Sequence, residues 1–375
     1  MKRQLPKLNR IVVKIGSSSL CKNNGEIDPN RIQSIVNQIS SIRNRGIQVV
    51  LVSSGAVAAG QHLLYANGTS IENKQAAAAI GQPVLLSTFQ NYFETHNLTI
   101  AQILLTHDDL HDRARYLSAR NTLGILLDHN IIPIVNENDT VSTEEIQFSD
   151  NDFLGALCTN MVNADLFIIL SNIDGIGEQD PTINPETNIY NTLIIDEVEQ
   201  LKKIFPKNKP NQLSRGGIFT KLEAPVMAAQ YGIPTIIANS QTPSILLKII
   251  NNENVGTYVQ PTETKLNSRK AYIAHAIKPK SFLIIDHGAA QAIKTNKASL
   301  LPSGIIKTEG SFSRGDGVIC IQENREEVAR GIVEYDQDEI NLILGKQSSD
   351  IESILGFKHH RGIIHRDNMV IIKEY

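Results

Sequence analysis

The sequence predicts an α/β protein: a mainly parallel open sheet sandwiched by helices, with a small mostly-β domain appended. Three observations predict it. Between residues 10 and 260, short runs rich in Ile and Val alternate with longer helical patterns, and strands joined by helical crossovers imply a parallel sheet covered on both faces. Near residue 280 the pattern changes to short strands separated by turns. The length, 375 residues, exceeds what one hydrophobic core usually organises.

The predicted strands are Arg10–Ile15, Gln48–Val52, Thr99–Leu105, Ile131–Val135, Leu166–Leu170 and Thr235–Ala238, each bounded by Gly, Asn, Ser or Pro. Asp28-Pro29 opens the first long helix, because Asp is a good N-cap and Pro suits the first helical position. Ile32, Ile35, Val36 and Ile39 continue it as an apolar stripe that stops near Gly46. Further helices are predicted over Asn73–His96, Arg113–His129, Asn151–Asn163 and Lys221–Tyr231. Asn172–Gly217, rich in proline, reads as loops with at most short elements. Beyond it, strands are predicted at Phe282–Ile285, Ile305–Lys307, Gly317–Ile321, Gly331–Tyr335, Asn341–Leu344 and Met369–Ile372. The division expected is a domain over residues 1–275, a linker at His275–Lys280 and a second domain over residues 281–375.

Composition excludes several classes. Hydrophobic residues are 41% and charged residues 20%, as in ordinary folded proteins and not in low-complexity chains. The net charge is −3, and residues 281–375, with 11 Lys+Arg against 14 Asp+Glu, carry all of it. Nucleic acid is therefore an unfavoured partner for either domain. Cys21, Cys158 and Cys320 are far apart and form no C-x-x-C, so neither a disulfide framework nor a zinc site is expected, and a reducing cytoplasm is. The apolar run Ile11-Val12-Val13 is too short for a signal core, and no stretch reaches the roughly 20 apolar residues of a membrane span.

Five stretches carry candidate chemistry. Val13-Lys14-Ile15-Gly16-Ser17-Ser18-Ser19 ends the first strand, where Gly, hydroxyls and a lysine suit a phosphate, although G-x-x-x-x-G-K-[ST] is absent and a surface lysine would look the same. Ser53-Ser54-Gly55-Ala56-Val57-Ala58-Ala59-Gly60 follows the second strand. Its small residues suit an anion at a helix start, and tight helix–sheet packing equally well. Asn136-Glu137-Asn138-Asp139-Thr140 follows the fourth strand, and Ser149-Asp150-Asn151-Asp152 opens a helix. These side chains could bind a small polar molecule or orient lysines or Mg²⁺, and they also suit turns and N-caps. Arg215-Gly216-Gly217-Ile218-Phe219-Thr220-Lys221 precedes another helix. A lysine in a first turn opposes the helix dipole, which suggests an anion nearby. His107 and His111 have H-x-x-x-H spacing without a full ligand set, so no metal ligands are assigned.

These segments, in this order, resemble the amino acid kinase family, and most closely its members that phosphorylate the γ-carboxylate of glutamate. The matching residues are Val13-Lys14-Ile15-Gly16, Ser54–Gly60, Ile134–Asp139, Asp150-Asn151-Asp152 and Gly216-Gly217 with Thr220-Lys221. The C-terminal part resembles a PUA domain through Leu301–Ile305, Gly310–Asp316, Ile354-Leu355-Gly356 and His365-Arg366-Asp367. The resemblance implies the amino acid kinase fold, ATP with Mg²⁺, glutamate as acceptor and an acyl phosphate product, the first step toward proline. It implies Lys14 and Lys221 on the transferring phosphoryl group, with Asp152 holding them. Ser54, Asp139 and Asn151 would bind glutamate, with Asn136, Asn138 and Asp150 nearby. Lys14, Ser171, Asn172 and Arg215, Gly216, Gly217, Ile218, Phe219, Thr220 and Lys221 would line the nucleotide site. Proline as feedback inhibitor, a homo-oligomer and the next enzyme of the proline pathway as a partner also follow from it.

The departures lie on the nucleotide side. Ser171-Asn172 stands where the family usually has Thr-Asp, Asp174 and Gly177 replace a common Lys and Tyr, and Arg215 precedes the paired glycines. They predict an altered nucleotide preference. The alternatives are a sibling kinase acting on aspartate, acetylglutamate, carbamate or UMP, and an RNA-binding protein acting through the C-terminal domain. Asn136-Glu137-Asn138-Asp139 with that domain distinguishes the first from its siblings.

Overall fold

The computed structural model describes residues 3, 5–22, 24–64, 70–141, 151–181, 183–184, 186–205, 218–261, 273, 281–296, 298–360 and 362–372. The expected linker at His275–Lys280 lies outside the described residues. The chain forms two compact units, Met1–Lys265 and Leu266–Tyr375.

In the first unit the strands are β1 (Arg10–Ile15), β2 (Gln48–Ser53), β3 (Ile100–Leu105), β4 (Ile132–Glu137), β5 (Leu166–Ser171), β6 (Thr192–Leu193), β7 (Thr235–Asn239) and β8 (Thr257–Val259). They form one sheet in the order β3-β4-β2-β1-β5-β7-β8-β6. Pairing is parallel from β3 to β7 and again between β8 and β6, and antiparallel between β7 and β8. The helices are α1 (Ser17–Leu20), α2 (Pro29–Asn44), α3 (Ala56–Leu64), α4 (Ile71–Glu94), α5 (His107–His111), α6 (Arg113–Asp128), α7 (Asn151–Met161), α8 (Ile195–Ile204), α9 (Ile218–Gln230) and α10 (Ile245–Ile250).

Local sequence accounts for the helix starts. The Asp28 carboxylate accepts from the Asn30 and Arg31 amides ahead of α2. Asp112 accepts from the Arg115 amide at 2.8 Å, which starts α6. Burial then docks the helices. Ile11, Val13 and Ile15 of β1 share a core with Ile32, Ile35, Val36 and Ile39 of α2 and with Leu85, Phe89 and Phe93 of α4. Side chains alternate along a strand, so Val12 and Lys14 face the other side, where α7 packs.

Two expectations in this unit are refined. Asn172–Gly217 is not only loop, because α8 occupies Ile195–Ile204; the Glu197 carboxylate accepts the Ile194 amide at 2.9 Å, and Val198 and Leu201 are buried. The run of small residues after β2 serves helix–helix packing as well as helix–sheet packing: Ala56 and Ala59 share a core with Val13 of β1 and Leu51 of β2. A Cβ on Gly60 would stand 1.7 Å from the Ala77 carbonyl oxygen, and one on Gly81 1.9 Å from that of Ala56. α3 and α4 therefore touch backbone to backbone.

The second unit has a five-stranded sheet of β9 (Phe282–Ile285), β10 (Ile305–Glu309), β11 (Gly317–Ile321), β12 (Glu327–Ile332) and β13 (Met369–Ile371), in the order β10-β9-β11-β12-β13. Only β9 and β11 pair in parallel. The strand expected at Gly331–Tyr335 lies earlier, as β12. The strand expected at Asn341–Leu344 is instead the end of a helix, Gln337–Ile343. Its acidic start is capped by Glu339, which accepts the Asp336 amide at 2.8 Å. Ile340 and Ile343 then point into the core at helical spacing. Four apolar-biased residues carry too little periodicity to separate strand from helix.

Candidate active site

Strand order determines where the site is. From β1 the chain moves one way across the sheet to β2, β3 and β4, then crosses back to place β5 on the other side of β1. Such a reversal opens a crevice at the carboxyl ends of the strands. Lys14 is the penultimate residue of β1, in register with Val52 of β2 and Ile169 of β5.

Lys14 lies beneath α7. A Cβ added to Gly155 of that helix would be 3.4 Å from the Lys14 Cβ and 2.7 Å from the Phe167 ring. Gly155 thus leaves room for the lysine stem and for Phe167. Asp152 is three residues earlier on the same face of α7, and there the stem ends: Lys14 Nζ is 2.5 Å from Asp152 Oδ1. Lys221 arrives from α9, whose buried positions Ile218, Lys221, Leu222 and Pro225 follow helical spacing. Its Nζ is 3.3 Å from Asp152 Oδ2. Asp152 is fully buried, with Lys14 and Lys221 exposed by 2% and 7%. One carboxylate therefore holds two ammonium groups, one on each oxygen. The anion suggested by a lysine in a first helical turn is, at least in part, Asp152 itself.

Beside this clamp the ends of β2 and β4 carry a linked set of polar side chains. Asn151 Nδ2 donates to the Ser53 carbonyl at 2.8 Å and to Ser54 Oγ and Asn136 Oδ1 at 2.9 Å. Asn136 Nδ2 donates to Gln82 Oε1 at 2.8 Å. Asn138 is a turn residue: its amide donates to the Leu105 carbonyl, and its side chain accepts from the Thr140 hydroxyl. Asp139 is half-buried in the same turn. Ser171 ends β5, donating to Asn172 Oδ1 at 3.2 Å, while Asp174 accepts from Asn239 Nδ2 at 2.9 Å. Ile218, Phe219 and Thr220 begin α9, and Phe219 lies under the Lys202 ammonium, 5.8 Å from the ring centre.

Lys14, Asp152 and Lys221 are thus brought together, as are Ser54, Asn136 and Asn151. Asp150, Arg215, Gly216 and Gly217 lie outside the described residues. Gln82 was not foreseen. It sits in an alanine-rich helix, and its one sequence signal is the break Gly81-Gln82-Pro83. Among the described residues no group of three His, Cys, Asp or Glu could hold a metal ion. Asp109, between the two spaced histidines, is used locally, accepting from Thr106 and Arg115.

Known proteins resemble both parts of the chain. The profile of the amino acid kinase family matches residues 9–239, and that of the PUA domain matches residues 282–355. A glutamate 5-kinase of Geobacter sulfurreducens is 44% identical over 98% of this chain and 99% of its own length. A glutamate 5-kinase of a Marinomonas species is 41% identical over 99% and 100%. Among solved structures, a carbamate kinase from Giardia lamblia bound to AMP-PNP shares the fold, with a TM-score of 0.50 at 16% identity over 68% of this chain and 99% of that one. The family profile spans the strands and helices that carry Lys14, Asp152 and Lys221, and the relatives match end to end: the chain belongs to the amino acid kinase family.

Proposed function

We infer that the chain is a glutamate 5-kinase, transferring the γ-phosphoryl group of ATP to the γ-carboxylate of glutamate. Full-length likeness to enzymes of that name supports the substrate. The observation that carries the chemistry is the clamp of Lys14 and Lys221 on Asp152. A glutamate carboxylate is ionised at neutral pH and needs no general base. One of its oxygens forms a bond to the γ-phosphorus while the bond to the β,γ-bridging oxygen breaks, and ADP leaves with that electron pair. The difficulty is to bring an anion to a polyanion, which calls for positioning and fixed positive charge. We assign that charge to Lys14 and Lys221, with Asp152 as the positioning residue between them.

Ser54, Asn136, Asn138, Asp139, Asp150 and Asn151 are proposed to bind glutamate. Ser171, Asn172 and residues 215–221 are proposed to line the nucleotide. The described residues offer Mg²⁺ no ligand set of their own, since Asp152 is engaged by two lysines; the ion belongs with the phosphates of the nucleotide. The catalytic domain is assigned to residues 1–275 and the PUA-like domain to residues 281–375. Inhibition by proline, a homo-oligomeric state, an association with the next enzyme of the pathway and a cytoplasmic site belong to the same proposal. All three cysteines are free and buried, as a reducing compartment allows.

Incubation with ATP, Mg²⁺ and single amino acids, with hydroxylamine to trap acyl phosphate, tests this function. Hydroxamate should form from glutamate and fall when proline is added. Product from aspartate or acetylglutamate alone would overturn the assignment.

A further inference from the structure

We propose that Gln82 is a positioning residue which, through Asn136, aims the carboxamide oxygen of Asn151 at the α-ammonium group of the bound amino acid. This rests on the glutamate-kinase assignment and adds a residue and a contact to it.

The direction of the hydrogen bonds follows from backbone groups that can act in only one way. The Glu137 amide can only donate, and it donates to Asn136 Oδ1 at 2.9 Å. The other branch of Asn136 is therefore Nδ2, and it faces Gln82, which presents Oε1. At the far end the Ser53 carbonyl can only accept, so the branch of Asn151 beside it is Nδ2. That same Nδ2 meets Asn136 Oδ1 and Ser54 Oγ. Both ends thus agree on the orientation of Asn151. Its remaining atom, Oδ1, is buried and accepts no hydrogen bond from the described residues.

A buried, oriented acceptor without a donor is costly until a ligand supplies one. Glutamate at neutral pH has two ionised carboxylates, which only accept, and one ammonium group, which only donates. The ammonium is the one group of this substrate that Asn151 Oδ1 can bind. Gln82 is placed for its task by the contact of α4 with α3. A Cβ on Gly81 would lie 1.9 Å from the Ala56 oxygen and 2.5 Å from the Gly60 nitrogen. That approach puts the next residue, Gln82, beside the end of β4, where Asn136 is 1% exposed. Without Gln82 Oε1, Asn136 Nδ2 loses its anchor in a buried place, and Asn151 loses the support that fixes its oxygen.

Steady-state kinetics of Gln82→Met and Gln82→Glu test this, with glutarate as competitive inhibitor because it has both carboxylates and no amino group. Gln82→Met should raise the KM for glutamate about tenfold, the value of one hydrogen bond. The KM for ATP, kcat and the inhibition constant of glutarate should stay within about twofold, since none reports the ammonium contact. Gln82→Glu keeps an acceptor oxygen and should bring the KM back to within about threefold of wild type. An unchanged KM in Gln82→Met, or a KM and a glutarate constant that rise together, would overturn the proposal. The wild-type protein provides a check that needs no variant: glutarate should bind at least about tenfold more weakly than glutamate, and equal binding removes the ammonium contact. Failure of wild type to form hydroxamate from glutamate would instead overturn the kinase assignment.

Discussion

Replacing Asp152 by asparagine keeps the side-chain shape and removes one charge. In the wild-type protein its two oxygens face Lys14 Nζ at 2.5 Å and Lys221 Nζ at 3.3 Å, and the two lysine side chains are only 3% and 9% exposed. In Asp152→Asn, two buried ammonium groups confront each other across a neutral amide. Removing one member of a buried ion pair costs about 3–5 kcal/mol, a large part of the roughly 5–15 kcal/mol that keeps a domain folded. At about 2–4 °C per kcal/mol for a unit of this size, the melting temperature should fall by roughly 6–20 °C. The lysines also lose their common anchor, and kcat should drop by about two to three orders of magnitude, as when one preorganised donor is lost. The triple variant Lys14→Met, Asp152→Leu, Lys221→Met separates stability from chemistry. Apolar replacement of a whole buried ion group is often neutral or stabilising, so this variant should melt well above Asp152→Asn while forming no hydroxamate. Calorimetry and the hydroxamate assay on both proteins decide the matter. If Asp152→Asn melts within about 2 °C of wild type, or the triple variant melts no higher than it, the clamp does not have the energetics given to it.

Other perturbations probe separate parts of the chain. Gly81→Ala should destabilise by about 3 kcal/mol in denaturant titration, because its Cβ would meet backbone at 1.9 Å, whereas Gly124→Ala in α6, with nothing within 4 Å, should stabilise by about 0.5–1 kcal/mol. Burial pushes the thiols of Cys21 to about 11 and of Cys158 and Cys320 to about 12, from an ordinary 9.0. The folded chain then keeps protons that the unfolded chain releases, so this contribution is complete below pH 9.0 and is lost as pH rises toward those values; native protein at pH 8 should resist iodoacetamide, and the denatured protein should take up three labels. Thr257 accepts the Ile176 amide at 2.8 Å and donates to the Tyr190 carbonyl at 2.6 Å. Thr257→Val strands both groups, costs about 1–3 kcal/mol, and should speed hydrogen exchange at Ile176.

The parallel strands were legible because they are buried on both faces and read as unbroken apolar runs. Predicted and observed ends of Arg10–Ile15 coincide, and those of the other five strands agree to within two residues. The N-cap at Asp28 was legible from local chemistry as well, and the predicted helix start at Arg113 coincides with that of α6. Lys14, Asp152 and Lys221 were proposed as site residues through the family resemblance, since a lysine at a strand end or a helix start has ordinary explanations. What joins them is tertiary: the alternation of β1 and the space at Gly155 set the reach of Lys14, and neither is a pattern in one segment. Gln82 was missed for the same reason, as its significance comes from a contact between α3 and α4. The error at Asn341–Leu344 was of another kind, a four-residue run whose preceding Asp and Glu caps were overlooked.

The place of β1 in the sheet has a bearing on synthesis. β1 emerges first and can pair early with β2, its neighbour in the chain, but its second edge waits for β5, made much later. Until then Ile11, Val12 and Val13, all fully buried in the finished protein, border an open edge of unpaired amides and carbonyls. Open apolar edges recruit other chains, and late non-local pairing prolongs the exposure. Nascent chains that stop before Leu166 therefore carry a sticky central strand, and chaperone capture of such chains should end once Ser171 has cleared the ribosome. The centrality that gives Lys14 its burial in the mature enzyme is a hazard while the ribosome is still at work.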